Sequence, residues 1–357
     1  MSLSAKATPL VDIVIPNWNG SAVLKNCIAS IRSQQEQRVN VIVVDNGSDD
    51  GSVEWLTREK TGITCLCLSE NKGFSPAVNL GIMHGSAPYV LLLNNDTELE
   101  PDTLRLLLTA AETMSEYVFF VPKMLSLRQP EMLDGAGDAY LRGGAGYRLG
   151  TMERDCACYN DPGPVFGACA GAALYRRDLF ERIGLFDEDF FAYLEDVDLN
   201  LRINRAGMRG YYVPAARVLH VGSATSGSRF NELTVRLSTR NSILVLAKHY
   251  QAIQLLRLSP VICIYQLAWL FFCLKKRQTI PYLRGLAGSW RYLGVMRRRH
   301  RRLRTTDRLN NREFSDCLAR AEFLCVTSIM HRNESQGKSN VLLRLYRLIF
   351  LRGVSET

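Results

Sequence analysis

The sequence predicts an α/β fold, with a mostly parallel central sheet flanked by helices and a helical, basic C-terminal extension. In the first half, continuous apolar runs alternate with segments of helical periodicity, a pattern typical of a parallel sheet covered on both faces. Farther along, no Asp or Glu occurs between Glu232 and Asp307, whereas Lys and Arg are frequent there. We therefore expect an α/β domain over residues 1–230 and a helical segment with a separate role over residues 231–357.

Length and composition are those of a folded protein. The 357 residues are 47% hydrophobic and 22% charged, which excludes general disorder. The ten cysteines include no C-x-x-C pair, so we expect reduced thiols in a cytosolic protein rather than a zinc ribbon. The polar start leads into a short apolar run that ends at Pro16, which predicts that no secretory signal opens the chain.

Four strands and the helices between them account for the first hundred residues. The strands are predicted at 11–16, 39–44, 63–68 and 89–93. Helices are predicted at 21–33, near 53–58, from about 76 and from Pro101, whose fixed φ suits the first helical position. Ligands of such sheets bind beyond the carboxyl ends of the strands.

Polar clusters follow three of these strands, at residues 16–19, 45–48 and 94–96. Asp45 can accept hydrogen bonds from a base or a ribose, although Asp-Asn-Gly-Ser also favours a simple turn. Asp96 can ligate Mg²⁺ or Mn²⁺ together with a diphosphate, because these cations prefer oxygen ligands. The alternative for Asp96 is an acid near the next helix start, where the helix dipole stabilises it.

The middle of the chain combines acids with aromatic residues. A run of small residues at 166–175 predicts a strand that permits close backbone approach. A helical pattern then begins at Asp196 and stops at Gly207, so Glu195 and Asp196 lie at a helix N-terminus beside aromatic residues. Desolvation raises the pKa of such a carboxylate, which suits a general base. Helix capping is the alternative, and it explains one of the acids.

Two later features leave alternatives open. His220 follows an apolar stretch and is either an ordinary surface or core histidine or a metal ligand. The apolar segment 258–274 is short for a transmembrane helix and is otherwise a buried helix or a helix in the membrane interface. We favour peripheral contact with the cytoplasmic face of a membrane, because basic residues that attract anionic lipid follow the segment. These are Lys275, Lys276, Arg277, Arg284, Arg291, Arg297, Arg298, Arg299, Arg301, Arg302 and Arg304.

Five motifs in order make the first 230 or so residues resemble the family 2 glycosyltransferases, which have the GT-A nucleotide-binding fold. They are Ile15-Pro16-Asn17-Trp18-Asn19, Val44-Asp45-Asn46-Gly47-Ser48, Asn71-Lys72-Gly73-Phe74-Ser75, Leu93-Asn94-Asn95-Asp96-Thr97 and Glu195-Asp196-Val197-Asp198-Leu199. The third and fourth motifs are most similar to the rhamnosyltransferase-type branch, which uses activated deoxysugars to build bacterial surface polysaccharides.

The resemblance implies a role for each matching residue. The nucleotide-sugar donor, linked to dTDP, UDP or GDP, would contact Pro16, Asn19, Asp45, Asn71, Gly73, Asn79, Asn94 and Asn95. Asp96 would bridge a Mg²⁺ or Mn²⁺ ion, with His220 as a further ligand. Because Asn94 replaces the usual first aspartate, metal affinity would depend more on this pair. Asp196, beside Glu195, would deprotonate a hydroxyl of a glycan or lipid-linked acceptor and so invert the anomeric carbon.

Three other function classes fit less of the sequence. A nicotinamide-dependent dehydrogenase would need G-x-G-x-x-G after the first strand, where this chain has Pro-Asn-Trp-Asn-Gly. A nucleic-acid-binding protein would use the arginines on phosphates but would leave Asp45, Asp96 and Asp196 without a role. A relative that binds saccharide or nucleotide without turnover is the third class. The oligomeric state does not follow from the sequence.

Overall fold

The computed structural model describes residues 8–58, 62–222, 230–303 and 307–355. The polar start over residues 1–7 and Arg304 of the basic cluster lie outside the described residues. In chain order the strands are β1 (Val11–Asn17), β2 (Val39–Asp45), β3 (Ile63–Cys67), β4 (Tyr89–Leu93), β5 (Thr97–Leu99), β6 (Phe119–Ser126), β7 (Leu133–Gly135), β8 (Asp138–Leu141), β9 (Ala145–Arg148), β10 (Gly163–Val165), β11 (Ala172–Arg176) and β12 (Gly210–His220).

Helices flank and follow these strands. They are α1 (Ser21–Arg32), α2 (Ser52–Arg58), α3 (Phe74–His84), α4 (Thr103–Thr113), α5 (Asp178–Ile183), α6 (Glu195–Arg205), α7 (Glu232–His249), α8 (Ala252–Arg257), α9 (Ser259–Lys275), α10 (Thr279–Leu303), α11 (Asn311–Ser335) and α12 (Val341–Phe350).

One large mixed sheet forms the centre of the α/β part, in the order β10-β12-β6-β11-β4-β1-β2-β3. Strands β4, β1, β2 and β3 pair in parallel, as do β6 and β12, whereas β11 runs antiparallel between β4 and β6. Along β1, Ile13 and Ile15 pack into one hydrophobic cluster and Val14 into another. Both faces of the sheet are therefore covered, and the predicted α/β class with a mostly parallel central sheet is confirmed.

Several predicted elements need adjustment. The helix expected from Pro101 begins at Thr103, and its first residues form a turn instead. The strand expected over 166–175 is confined to Ala172–Arg176, because the preceding residues turn back on themselves. In that turn the Ala172 amide donates to the Cys169 carbonyl, and the Gly171 carbonyl accepts from the amide of Asn94. The turn brings Cys169, Ala170 and Gly171 to the sheet edge where β4 ends.

The expectation that all ten cysteines are reduced thiols is wrong for one pair. Cys156 and Cys158 form a disulfide, with their Cα atoms 5.3 Å apart. A single 3₁₀ turn over Ala157–Tyr159 begins between them and folds the chain tightly enough for the two sulfurs to meet. The other cysteines, from Cys27 to Cys325, are free thiols.

The C-terminal helices pack against the α/β part through a shared hydrophobic cluster. Tyr140 of β8 and Leu201 of α6 lie in this cluster with Leu244 of α7 and Phe314 of α11. Helix α10 crosses α7 closely, since a Cβ atom on Gly285 would lie 2.5 Å from the carbonyl oxygen of Arg236. The division at residues 230 and 231 stays a prediction. Among the helices of the described ranges, none combines the length and apolar character needed to cross a membrane.

Candidate functional site

An open pocket of about 620 Å³ lies beyond the carboxyl ends of β1 and β4 and reaches the start of α6. Nine of the residues predicted from the sequence line it: Pro16, Asn71, Gly73, Asn94, Asn95, Asp96, Glu195, Asp196 and His220. Asn19, Asp45 and Asn79 do not line it. The pocket therefore brings together residues from distant parts of the chain, from Pro16 to His220.

His220 ends β12 and lies between two carboxylates. Its Nε2 atom is 3.3 Å from Oδ1 of Asp96, and its Nδ1 atom is 2.8 Å from Oδ2 of Asp134. Strand β12 brings the histidine there by pairing with β5, which follows Asp96 directly. Burial favours neutral imidazole, but hydrogen bonds to Asp134 and Asp96 outweigh it and raise the pKa of His220 to about 9.

Asp96 and His220 fit a divalent cation. Two ligands each about 2.1 Å from one ion, at right angles, are about 3 Å apart, close to the separation of their Oδ1 and Nε2 atoms. The Nδ1 contact with Asp134 orients the ring so that Nε2 remains available, an arrangement common for metal-bound histidines. The Asp96 carboxylate suits either Mg²⁺ or Mn²⁺, whereas the imidazole is a ligand more typical of transition metals than of Mg²⁺.

Glu195 and Asp196 form the first turn of α6, as the sequence predicts. Asp196 is partly open to the pocket, and its Oδ1 accepts a hydrogen bond from the amide of Val197. Desolvation raises the pKa of Asp196, while that amide and Arg148 oppose the increase. Glu195 is more deeply buried, and burial together with the charge of Asp196 raises its pKa well above the usual range. Its Oε2 has no partner among the described residues.

Arg148 lies among acids at the same end of the pocket. Its guanidinium donates to Asp134 and, over 2.6 Å, to Sγ of Cys169, and it is 3.8 Å from Asp138. Burial and the charge of Asp196 raise the pKa of Asp138 to about 7, against the opposing effect of Arg148. Asp138, Cys169 and Asp196 have metal-ligand spacing. Because the Arg148 guanidinium already supplies a positive charge to this group, the cluster is better described as an arginine–carboxylate network than as a second metal site.

Asp45 and Asn19 hold the loops beside the pocket. Asp45 is buried and accepts hydrogen bonds from the Asn17 side chain and the Ser48 amide, both 2.9 Å long. The backbone amide and the side-chain oxygen of Asn19 form hydrogen bonds with the turn that follows β2. The nucleotide-reading roles of both residues stay predictions, since the hydrogen bonds that the structure gives them are to other protein groups.

A chain of side-chain amides joins three strand ends. The Asn95 amide donates to Oδ1 of Asn17 over 2.8 Å, and Asn17 in turn donates to Asp45. The carboxyl ends of β4, β1 and β2 are thereby fixed relative to one another. Asn94 follows β4, and its backbone amide is bonded to Gly171. The three loops present one rigid rim to the pocket.

Asn71 and Gly73 line the pocket beside the start of α3, and Asn79 lies on α3 outside the lining. The Asn71 side chain accepts from the Gly73 amide over 2.9 Å. Gly73 has φ +96°, and a Cβ atom there would lie 2.5 Å from the carbonyl oxygen of Phe191, so glycine is required for this close approach. Asn79 exchanges hydrogen bonds with the backbone of Phe186 and so fastens α3 to the segment before α6. Its donor-binding role stays a prediction.

Four residues that line the site were missed by reasoning from the sequence: Asp134, Asp138, Arg148 and Cys169. Asp138 and Arg148 come from the β8–β9 hairpin, and Asp134 from the short strand β7. The turn at 142–144, which contains Gly143 and Gly144 and lies between two short runs, was the available signal for that hairpin.

Known proteins share both the sequence pattern and the architecture. The model of glycosyl transferase family 2 matches residues 12–184. The N-acetylglucosaminyl-diphospho-decaprenol L-rhamnosyltransferase of Mycobacterium tuberculosis is 30% identical over 249 residues, covering 62% of this chain and 78% of that protein. Rhamnosyltransferase WbbL of Escherichia coli K12 is 42% identical over 65 residues, 18% of this chain and 25% of that protein.

A solved structure gives the fold. The crystal structure of GalNAc-T7 with UDP, GalNAc and Mn²⁺ has a TM-score of 0.55 at 14% identity, covering 68% of this chain and 48% of that one. The expected GT-A fold is confirmed, and the rhamnosyltransferase-like resemblance agrees with the relatives. The chain belongs to glycosyl transferase family 2 and is a glycosyltransferase.

Proposed function

We propose that the chain is an inverting glycosyltransferase of surface polysaccharide synthesis. It moves a sugar, rhamnose or another hexose, from a nucleotide-diphosphate donor to a glycan or lipid-linked acceptor. The observation that carries the proposal is that Asp196 and the Asp96–His220 pair line one pocket. A single displacement requires a general base and a site for the leaving diphosphate in one cavity.

Asp196 is the proposed base. It takes the proton of the acceptor hydroxyl while the oxygen attacks the anomeric carbon from the face opposite the diphosphate. The bond to the diphosphate breaks with its electron pair, so the configuration inverts and the nucleoside diphosphate leaves. The raised pKa of Asp196 makes it a stronger base than an exposed aspartate. Glu195, the more buried neighbour, has a supporting role in the same step.

The donor binds along the rim made by Pro16, Asn71, Gly73, Asn94 and Asn95. Asn19, Asp45 and Asn79 support it by fixing the surrounding loops. A Mg²⁺ or Mn²⁺ ion held by Asp96 and His220 would supply positive charge beside the diphosphate. Asp134 keeps the His220 ring in the orientation that this requires. The nucleotide is dTDP, UDP or GDP.

Substitution of Asp196 tests the base. Asp196→Asn removes the proton acceptor with little change in shape, so we expect kcat to fall about 1000-fold while donor affinity is retained. Asp102→Asn is the matched control, since Asp102 is an exposed carboxylate that pairs with Arg105. Transfer by the Asp196→Asn variant at the rate of the control would refute the assignment.

Thermal unfolding with a panel of nucleotide sugars tests the donor site. A ligand stabilises the state that it binds, so the correct donor with Mn²⁺ or Mg²⁺ raises Tm. His220→Gln should abolish the metal-dependent part of this increase, whereas His84→Gln, at an exposed histidine of α3, should leave it unchanged. A metal titration that is the same in both variants would contradict the metal role of His220.

The acceptor is best supplied at the cytoplasmic face of a membrane. Helix α9 packs one side on α7, where Trp269 donates to Thr239 over 2.8 Å, and exposes Ile264, Leu267, Phe271 and Leu274 on the other. Phe271 is 71% exposed. Apolar side chains beside Lys275, Lys276 and Arg277 match an anionic lipid interface, whereas nucleic acid would call for the basic residues alone.

A further inference from the structure

The segment directly before Asp196 has an unusual backbone conformation. Phe191, Tyr193 and Leu194 have φ angles of 65°, 66° and 66°, in the left-handed region that residues with a side chain rarely adopt. Such conformations persist only where the surroundings hold them in place. The segment 190–194 leads straight into α6, so its shape sets where the carboxylate of Asp196 points.

Asn241 of α7 holds this segment. Its side chain is fully buried, and its Nδ2 atom lies 3.0, 2.9 and 2.6 Å from the carbonyl oxygens of Phe190, Ala192 and Tyr193. One amide with two hydrogens thus serves three backbone acceptors. Few alternative backbone shapes would place all three carbonyls within reach of a single nitrogen.

Arg240 fixes the orientation of that amide and adds hydrogen bonds of its own to the adjacent backbone. Its Nε atom donates to Oδ1 of Asn241 over 2.8 Å, so the nitrogen of the amide must face the segment. Its Nη2 atom donates to the carbonyls of Asp189 and Phe190 over 2.9 and 2.7 Å. The guanidinium also lies over the ring of Tyr292, 5.2 Å from its centroid, which holds it between α7 and α10.

The opposite side of the segment is held by α3. The carbonyl of Phe191 accepts from the amide of Phe74 over 2.6 Å and from the amide of Ser75 over 3.3 Å. These amides belong to the N-terminal turn of α3, next to Gly73 on the donor side of the pocket. The segment is therefore held on one side by the N-terminal turn of α3 and on the other by α7.

We propose that Asn241, oriented by Arg240, is a positioning residue. It fixes the segment 190–194, which leads into the helix turn that bears Asp196, in its catalytic shape. Helix α7, the first helix after the α/β part, is then a component of the active site rather than an appendage. The inference rests on the proposed function of Asp196 as the base. It goes beyond that function by assigning a catalytic contribution to a helix that does not bear the base.

Replacement of the amide by an isosteric carboxylate tests the inference. Asn241→Asp exchanges the donating nitrogen for an oxygen that repels the three carbonyls. Asn204→Asp is the matched control, because Asn204 is also buried and its Nδ2 donates to the carbonyls of Phe166 and Asn200. It lies eight residues beyond Asp196 on the same helix, about 12 Å away along the axis.

We expect kcat of Asn241→Asp to fall about 100-fold, as a displacement of a reacting group by about 1 Å would cause. Donor affinity should change little, and amide hydrogen exchange over residues 189–195 should become faster. Asn204→Asp should lose a similar amount of Tm yet keep kcat near the wild-type value. If Asn241→Asp does not fold, Asn241→Ser and Arg240→Lys take its place, since each removes part of the same hydrogen bonding.

Two results would overturn the inference. Equal kcat values for the Asn241 and Asn204 variants at equal Tm would mean that the amide is structural only. Faster exchange over 189–195 with unchanged kcat would mean that the turn shape does not govern the reaction. Failure of the proposed function gives a different result. The Asp196→Asn variant would then remain active, which would refute the base assignment, while the faster exchange in Asn241→Asp would persist.

Discussion

At the scale of single residues, Arg148 influences the charge state of two acids of the site. It is the cation within a group of buried or partly buried acids, and it donates to Asp134 and to Cys169. Its charge lowers the pKa of both Asp138 and Asp196, against desolvation that raises them. A base must be ionised to act, so in the proposed mechanism Arg148 extends the range of pH over which Asp196 can accept a proton.

Neutralisation of Arg148 should therefore shift the pH profile. In Arg148→Gln the pKa of Asp196 rises further, so the acid limb of the kcat profile moves to higher pH and activity at low pH is lost first. The profile of kcat against pH, at saturating donor and acceptor, measures this. Arg148→Lys keeps the charge and should shift the limb less. An acid limb that stays in place in Arg148→Gln would separate Arg148 from the ionisation of the base.

Site residues that belong to contiguous motifs could be predicted from the sequence, whereas isolated ones could not. Asp96 and Asp196 were found because each belongs to a contiguous motif next to a regular element. Asp138 and Arg148 were missed, since they are the first and last residues of a hairpin without hydrophobic periodicity and come together only when its two strands pair. Asn241 was also missed, because its backbone partners are 48 to 51 residues away and a hydrogen bond to a carbonyl leaves no side-chain pattern.

At the scale of elements, helix α9 has one side that packs on the protein and another whose apolar side chains are exposed. One side packs on α7, where Gln266 donates to Ser242 over 2.9 Å. The other side exposes Leu267 and Phe271, which are 64% and 71% accessible. Exposed apolar ridges of this kind next to basic residues are characteristic of interfacial helices.

Substitutions on the exposed side of α9 should weaken membrane contact. We expect Leu267→Ser with Phe271→Ser to reduce binding to phosphatidylglycerol vesicles at least about tenfold, since burial of each side chain is worth ~1.5–3 kcal/mol. Vesicle co-sedimentation at low salt measures this, with phosphatidylcholine vesicles as the uncharged comparison. Met83→Ser, at an exposed apolar residue of α3, is the matched control. Equal binding by all three proteins would exclude α9 as the contact.

Elements with long apolar runs were predicted well from the sequence, and short ones were not. Strands β1, β2 and β4 are continuous apolar segments, and their predicted bounds agree with the structure within one residue. Strands β7 to β10 have three or four residues each and were not predicted. Strands β7 and β10 pair with β6 and β12, whereas β8 and β9 pair with each other across a short turn. None of these short strands has the long apolar run by which a strand is predicted from local sequence.

At the scale of the whole molecule, a buried ionic cluster joins the α/β part to the C-terminal helices. Asp198 of α6 lies 2.6 Å from Nζ of Lys248 and 2.8 Å from Nε2 of His249, both on α7. Lys248 also reaches Asp187 over 2.6 Å. These contacts are buried, so separation of α7 from α6 would leave unpaired charges in an apolar environment. We expect the two parts to unfold in one transition.

The titration of His249 should make that transition depend on pH. Burial lowers the pKa of His249 to about 4, although its hydrogen bond to Asp198 opposes this, and its Nδ1 has no partner among the described residues that could accept a proton. The unfolded chain takes up a proton near pH 6.5, so between pH 6.5 and 4 it binds more protons than the folded protein. The contribution of His249 is therefore complete above pH 6.5 and decreases as the pH falls to 4, by up to about 3 kcal/mol. Urea unfolding across this range should show the decrease for the wild type relative to His249→Gln, which cannot titrate. Parallel curves for the two proteins would show that His249 is not the group responsible.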